Sequence, residues 1–261
     1  MISKVAEKKE ISQPEKKNDR YTKIVEKCRQ AKEQLLEWVK SDDGWKPIGK
    51  ITTSKHNHTD KKKSHNIYSQ NYTTEVKEYD SKHSKGYKKS IKTYKIWKST
   101  YEIDSPLEKM IEILSNIENA SKWNEIVAHA KIIETINSSI DITVCASNPA
   151  ILKIVDSRDF VTLRQCEKGP DPDSFLIVTT GTHKRDYKVP PKTTRGWNGP
   201  GGFYLQSNQK GGCHITWILN AYISMPTLIP DILYENTIID LTKNLIKSLH
   251  HLIEKEKKVN K

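Results

Sequence analysis

The run Ser157-Arg158-Asp159-Phe160-Val161-Thr162-Leu163-Arg164 carries the side chains best placed to do chemistry. Strand alternation puts Phe160, Thr162 and Arg164 on one side, so a permanently charged guanidinium shares a face with an aromatic ring. On a strand facing water this has no consequence. On a strand that curves round an interior it sets a cation in a mostly apolar space, as a polar anchor that must be satisfied there.

Catalytic constellations are sparse by comparison. Gly199-Pro200-Gly201-Gly202 is followed by no helix N-terminus, so it reads as a β-turn and not as a phosphate loop. Asp156, Asp159 and His183 flank strand ends, where surface pairing is the simpler role, and Ser157 sits in no Gly-x-Ser-x-Gly elbow. Arg158-Asp159 reads as a structural ion pair or a strand-start cap. His56, His58, His65 and His83 lack a metal-ligand spacing, and Cys28, Cys145, Cys166 and Cys213 are far apart with no CxxC. Neither a metal nor another cofactor is implied.

The net charge of +12 is not spread evenly: residues 1–100 hold 25 Lys/Arg against 13 Asp/Glu, whereas residues 101–261 hold 19 of each. A basic first third suits contact with an anionic membrane surface, at about 1 kcal/mol per Lys/Arg near the lipid, or simply a solvated tail and loop. No apolar run approaches a membrane span and the N-terminus has no secretory core, which points to the cytoplasm. A hydrophobic content of 35% in 261 residues fits one core with polar additions.

The elements that must position these side chains follow from periodicity. Residues 1–19 read as a disordered basic leader, and one domain runs over 20–258 with a tail at 259–261. From Tyr21 to Lys40, Ile24, Cys28, Ala31, Leu35 and Trp38 recur at helical spacing. Residues 50–72 lack a period and read as a low-complexity basic insertion, after which Thr74–Asp80 and Ile91–Ile103 alternate as a strand pair. Asp104-Ser105-Pro106 opens a helix with an N-cap and an early proline. Strands are predicted near 126–136, 140–147, 159–167, 174–182, 202–207 and 214–224. A long helix from Pro230 to about Lys257 closes the chain, apolar on more than one stripe, so it must be covered on most sides. The order describes an α+β fold in which a curved antiparallel sheet wraps a C-terminal helix.

Ser157-Arg158-Asp159-Phe160-Val161 with Arg164, then Arg195-Gly196-Trp197-Asn198-Gly199-Pro200, then Ile215-Thr216-Trp217-Ile218-Leu219-Asn220, then Leu228-Ile229-Pro230, together with Asp43-Gly44-Trp45-Lys46 near the start, resemble the StAR-related lipid transfer (START) domain over roughly residues 21–257. The small soluble members of the steroidogenic-acute-regulatory-like group are the most similar. The resemblance implies a helix-grip fold, a U-shaped sheet whose cavity holds one lipid, often a sterol, under the C-terminal helix. It implies Arg164 as the cavity arginine and places Cys145 where an acidic partner is usual. Asn198 stands where several sterol-binding relatives carry a histidine. With no carboxylate expected beside it, Arg164 is expected to meet an oxygen of the ligand.

The expected lipid-binding set is thus Arg164, Cys145, Thr162, Asn198, Trp217, Asn220, Ile238, Leu241 and Leu245. Residues 183–200 would form a gate loop with Pro190, Pro191, Arg195 and Trp197, the last either at a membrane or packed inward. The resulting function is a monomeric lipid carrier, holding a sterol or related lipid and touching anionic membranes peripherally. Two other classes stay open. A helix-grip enzyme of cyclase or hydrolase type would need a convergent acid-base pair. A nucleic-acid-binding protein would use the aromatics among lysines at Tyr87-Lys88-Lys89 and Tyr94-Lys95-Ile96-Trp97, which strand alternation explains equally well.

Overall fold

Helix α1 (Pro14–Lys40) buries the face that carries Ile24, Cys28, Ala31, Leu35 and Trp38, and a turn at Asp43-Gly44 ends it, with Gly44 at φ 74°. The computed structural model describes residues 14–53, 63–79, 87–149, 156–184, 187–223 and 230–259. The helix therefore starts earlier than its apolar stripe: residues 14–19, expected in the leader, form its first turns, and Asp19 pairs with Lys23 at i,i+4 (2.6 Å). Of the expected leader, residues 1–13 lie outside the described residues, as does most of the tail, 260–261.

Three strands follow: β1 (Lys46–Thr53), β2 (Lys63–Tyr79) and β3 (Tyr87–Ile103). Here the expected insertion at 50–72 is corrected. Lys50–Thr53 belongs to β1 and Lys63–Tyr72 to β2, and only 54–62 falls outside the described residues. His65, Ile67 and Ser69 are buried on one face while Ser64 and Asn66 are exposed on the other. A period of two was present, but histidine and serine at the buried positions hid it from a hydrophobicity pattern.

Helix α2 (Leu107–Ser115) and a 3-10 turn (Ile117–Lys122) come next. The expected Asp104/Ser105 cap is also corrected, since Pro106 occupies the N-cap position, no side chain caps it, and Ser105 is buried. Then come β4 (Val127–Thr135), β5 (Ile140–Ser147), β6 (Ser157–Lys168), β7 (Ser174–Gly181), the short β8 (Thr193–Arg195) and β9 (Trp197–Asn198), β10 (Gly201–Ser207), β11 (Cys213–Leu219) and β12 (Ala221–Tyr222). Helix α3 (Asp231–Val259) completes the chain.

Nine strands run in the order β1-β2-β3-β11-β10-β7-β6-β5-β4, every neighbour antiparallel, with β8 parallel beside the start of β6 and β9 paired to β12. In a flat sheet the outermost strands would lie roughly 38 Å apart, eight spacings of about 4.8 Å. Instead Ile51 of β1 and Val127 of β4 belong to one buried cluster with Leu241, Leu245, Ile246, Leu249 and Ile253 of α3. The sheet is therefore strongly curved around α3, as the helix-grip expectation requires. Its other face carries α1 on Leu176, Val178, Tyr204 and Ile218, and farther along on Ile142, Val144, Val161 and Leu163. Close contact between β10 and β7 depends on Gly202, which has φ +127° and whose Cβ, if present, would stand 1.9 Å from the Ile177 carbonyl oxygen.

Leu35 is fully buried between α1 and the convex face. Truncating it, Leu35→Ala, is expected to cost about 2–5 kcal/mol of unfolding free energy in a urea titration. A loss under about 0.5 kcal/mol, the range of ordinary surface substitutions, would show that α1 is not seated on the sheet.

Candidate functional site

Of the residues expected at the site, Arg164, Cys145, Thr162 and Trp217 lie on the concave face. Alternation turns Arg164, Thr162 and Phe160 of β6 to this side, and Cys145, Thr143 and Asp141 of β5 stand opposite them. The register pairs Asp141 with Arg164 and Cys145 with Phe160. Arg164 therefore does have a carboxylate, which corrects the expectation that it would lack one. Its Nε donates to Asp141 Oδ1 at 3.0 Å and Nη2 to Oδ2 at 2.5 Å, while Nη1 donates to the Ser115 carbonyl at the C-terminus of α2. Arg164 is buried and Asp141 largely so, with side chains 7% and 15% exposed.

Burial acts to lower the Arg164 pKa, but the hydrogen bonds and charge of Asp141 more than offset it, so the guanidinium is held above its usual value. The negative end of the α2 dipole acts in the same direction. Counting back without gaps found Cys145 because residues 148–156 make the β5–β6 connection long. The available signal was Asp141 itself, a carboxylate within Ile140-Asp141-Ile142-Thr143-Val144-Cys145 and two turns of the alternation away from Cys145 on the same face.

Beside this pair lies a short polar chain. Asn198 Nδ2 donates to Thr162 Oγ1 at 2.8 Å, and Thr143 Oγ1 donates to the Thr162 carbonyl at 3.4 Å. Burial pushes the Cys145 thiol up to about 12 and raises Cys166 as well, so neither is a reactive thiolate. The remaining wall is apolar. Trp217 stacks on Phe203 at 5.6 Å, Trp123 meets Phe203 edge-on at 6.2 Å, and Leu241 and Leu245 of α3 join the same cluster. Ile238 is buried one turn nearer the start of α3.

Other expected site residues do different work. Asn220 alternates to the convex side, where Oδ1 accepts from Tyr94 Oη at 2.7 Å and Nδ2 donates to the Pro200 carbonyl at 2.8 Å. It holds the 199–200 turn and is not presented to the interior, which corrects its place in the expected lipid-binding set. Arg195 makes a bidentate pair with Asp159, both contacts at 2.8 Å, with side chains 4% and 0% exposed. Asp159 thus pairs with Arg195 and not with Arg158, because consecutive strand residues point to opposite faces. Arg158 instead donates to the carbonyls of Ile223 (3.0 Å) and Asp156 (2.7 Å).

Trp197 packs inward, against Gly181, beside His183 at 5.2 Å and under Lys27 at 5.1 Å. Of the expected gate loop, Arg195 and Trp197 are fixed points, while Pro190 and Pro191 lie nearer the surface. Leu228 and Ile229 fall outside the described residues.

The end of α3 near Pro230 is tied to the sheet by Lys95, whose Nζ reaches Glu235 Oε1 (2.7 Å) and Asp231 Oδ2 (3.1 Å), and by Trp97 against Tyr234 at 4.9 Å. Tyr94 is likewise spent on Tyr72 and Tyr222, so neither aromatic presents a free face for base stacking. Among the described residues no group of three His, Cys, Asp or Glu side chains is gathered as a metal site, and no helix is long and apolar enough to cross a membrane.

Comparison with known proteins places this geometry. A family model described as the START domain matches residues 20–255. The steroidogenic acute regulatory protein of Xenopus laevis is 28% identical over 160 residues, 58% of this chain and 54% of that protein, so the chain spans about half the length of that relative. The structure of human StAR-related lipid transfer protein 5 superposes with a TM-score of 0.70 at 14% identity, covering 90% of this chain and 99% of the other. Human STARD10 gives 0.60 at 17% identity, covering 85% and 80%. At these identities the two structures establish the shared fold.

Removing one member of the buried pair leaves the other charge uncompensated. Asp141→Ala is expected to lower unfolding free energy by about 3–5 kcal/mol, whereas Asp141→Leu combined with Arg164→Met returns to within about 1–2 kcal/mol of the native chain. Equal losses in the single and double variants, measured by chemical denaturation, would mean that the two side chains are not energetically coupled.

Proposed function

The chain belongs to the START domain family, and on that premise we propose that it is an intracellular carrier that holds one neutral, hydroxylated lipid of sterol type between α3 and the concave face and shuttles it between membranes. The observation that carries this reading is the buried Arg164–Asp141 pair beside an apolar wall of Trp217, Phe203, Leu241 and Leu245. The ligand would lie against these residues, with Thr162, Cys145, Asn198 and Ile238 completing its surroundings.

The pair also discriminates among lipids. Three of the five N–H groups of Arg164 are engaged by Asp141 and Ser115, which leaves two donors, and the carboxylate keeps acceptor capacity. A ligand hydroxyl is the group that can accept from one partner and donate to the other. A fatty acid or bile acid would bring a second anion next to a pair that is already neutral, at a desolvation cost that nothing there offsets. A plain hydrocarbon would leave the remaining donors unused.

Carriage also fits the energetics. Leaving a membrane for water costs a lipid of roughly 500 Å² apolar area about 12 kcal/mol at ~25 cal/mol per Å². An apolar enclosure removes most of that barrier without any chemical step. An enzyme would need a free acid or base, and the two buried carboxylates of β5 and β6 are both committed, Asp141 to Arg164 and Asp159 to Arg195. The loop around Pro190 and Pro191, hinged on the fixed Asp159–Arg195 pair, would serve as the gate, and the protein would act as a monomer with peripheral membrane contact.

The membrane contact is assigned to the far half of the β2–β3 hairpin. Beyond Ser69 and Trp97 these strands pair only with each other among the described residues, over 70–79 and 87–96, and the ribbon reaches the start of α3 through Lys95. Ile91 is exposed there, with Lys89 and Lys92 on the same strand.

Native mass spectrometry of the purified protein, followed by organic extraction, is expected to find one neutral hydroxylated lipid per chain. Asp141→Asn leaves the cation unmatched and should raise fatty-acid affinity about tenfold relative to sterol, as one compensated charge is worth at least about 1.4 kcal/mol. Unchanged selectivity in that variant, or an acidic lipid in the native protein, would sink the neutral-ligand assignment. Separately, Lys89→Glu with Lys92→Glu is expected to weaken sedimentation with phosphatidylserine vesicles at least about tenfold and to leave the extracted lipid unchanged. Equal binding of the native chain to neutral vesicles would remove the role of the ribbon.

A further inference from the structure

A second basic feature stands at the opposite end of α3 and belongs to none of the parts above. Lys247, Ser248, His251, Leu252 and Lys255 line a hollow of about 540 Å³, closed from across by Lys122 at the end of the 3-10 turn. Lys247, His251 and Lys255 follow one another at i, i+4 and i+8, so they share one side of the helix. The three lysines and the histidine are exposed, and among the described residues none of the four makes an ion pair.

The acids nearby do not neutralise the hollow. Glu256 pairs with Lys109 at 2.5 Å, and Glu125 accepts from Asn244 Nδ2 at 2.5 Å. Glu254 lies on the flank, at i+3 from His251, and does not line the hollow. On α1, by contrast, several exposed cations are paired, as Arg29 is with Glu26 and Glu33. Three unpaired lysines converging from two elements, with a half-buried hydroxyl beside them, make a region of positive potential that a compact dianion fits better than a single carboxylate.

We propose that this hollow binds a phosphomonoester, either on the head of a phosphorylated membrane lipid or on a soluble compound. It is separate from the ribbon contact: from Glu235, where Lys95 engages α3, to His251 is roughly 24 Å along the helix at 1.5 Å per residue. Because α3 is the element that covers the concave face, a phosphate held at its far end would give the carrier a second, chemically selective contact. The assignment stands whatever lipid the interior holds.

The test uses the full chain and sedimentation with phosphatidylcholine vesicles containing either phosphatidylinositol monophosphate or enough phosphatidylserine to match its charge. The native chain is expected to prefer the phosphomonoester vesicles at least about fivefold, and Lys247→Gln with Lys255→Gln to lose that preference while keeping phosphatidylserine binding. The ribbon variant Lys89→Glu with Lys92→Glu should weaken both vesicle types alike and retain the preference. Competition by soluble glycerophosphoinositol phosphate assigns the site to soluble phosphates as well, and lack of competition assigns it to the lipid surface. No preference in the native chain, or a preference that survives in the Lys247/Lys255 variant, overturns the proposal. Extraction of the internal lipid from the same variants separates this result from the carrier function.

Discussion

The constraint on which the rest depends is the broad apolar face of α3. Ile238, Leu241, Leu245, Ile246, Leu249 and Ile253 are all buried and share one wide face, while Asp240, Lys243, Lys247 and His251 on the other side are exposed, so the helix is covered on one broad side and not on most sides as its sequence suggested. A flat sheet covers one side of a helix and leaves the others wet. Curling the sheet brings Ile51 and Val127, on opposite outermost strands, into the same cluster and covers the full width of that face. The price is that both sheet faces must now be apolar, and α1 satisfies the outer one through Leu35, Ala31 and Cys28.

Curvature then decides where charge can stand. Residues of β6 alternate between the two environments, and each face holds one buried ion pair: Arg164 with Asp141 on the concave side, Asp159 with Arg195 on the other. Neither is expected to add much net stability, because desolvation consumes most of the Coulombic gain. What they contribute is geometry. The first joins β5, β6 and the end of α2, and the second holds the return of the chain through β8, with Gly196 N–H also donating to the Asp159 carbonyl at 2.8 Å.

Legibility in the sequence followed the same physics. Ile140–Ser147 was readable to the residue, and β7, β10 and α3 to within one or two, because buried positions there are aliphatic or aromatic. Lys63–Tyr72 was not, since its buried positions include His65 and Ser69, which a hydrophobic pattern counts as polar. The presence of a concave arginine was legible at Arg164, but its partner was not, because strand register is set by pairing in space and the connection between β5 and β6 is long enough to break any count along the chain. Asn220 failed for a related reason: its neighbour Trp217 is three positions away, an odd step, and so faces the other side.

The neutral pair carries the argument about cargo further than the fold does. A lone arginine would have asked for an anion, and the expectation drawn from the sequence asked only for an oxygen of the ligand. With Asp141 in place the interior is already balanced, and a group that both donates and accepts is the one that adds hydrogen bonds without adding charge. The same balance favours the proposed carriage over catalysis. The Asp141 carboxylate is occupied by two hydrogen bonds from the guanidinium, and a thiol raised to about 12, as at Cys145, does not attack. What is left is selectivity in binding, which is the property that the proposed transfer of an unmodified lipid demands.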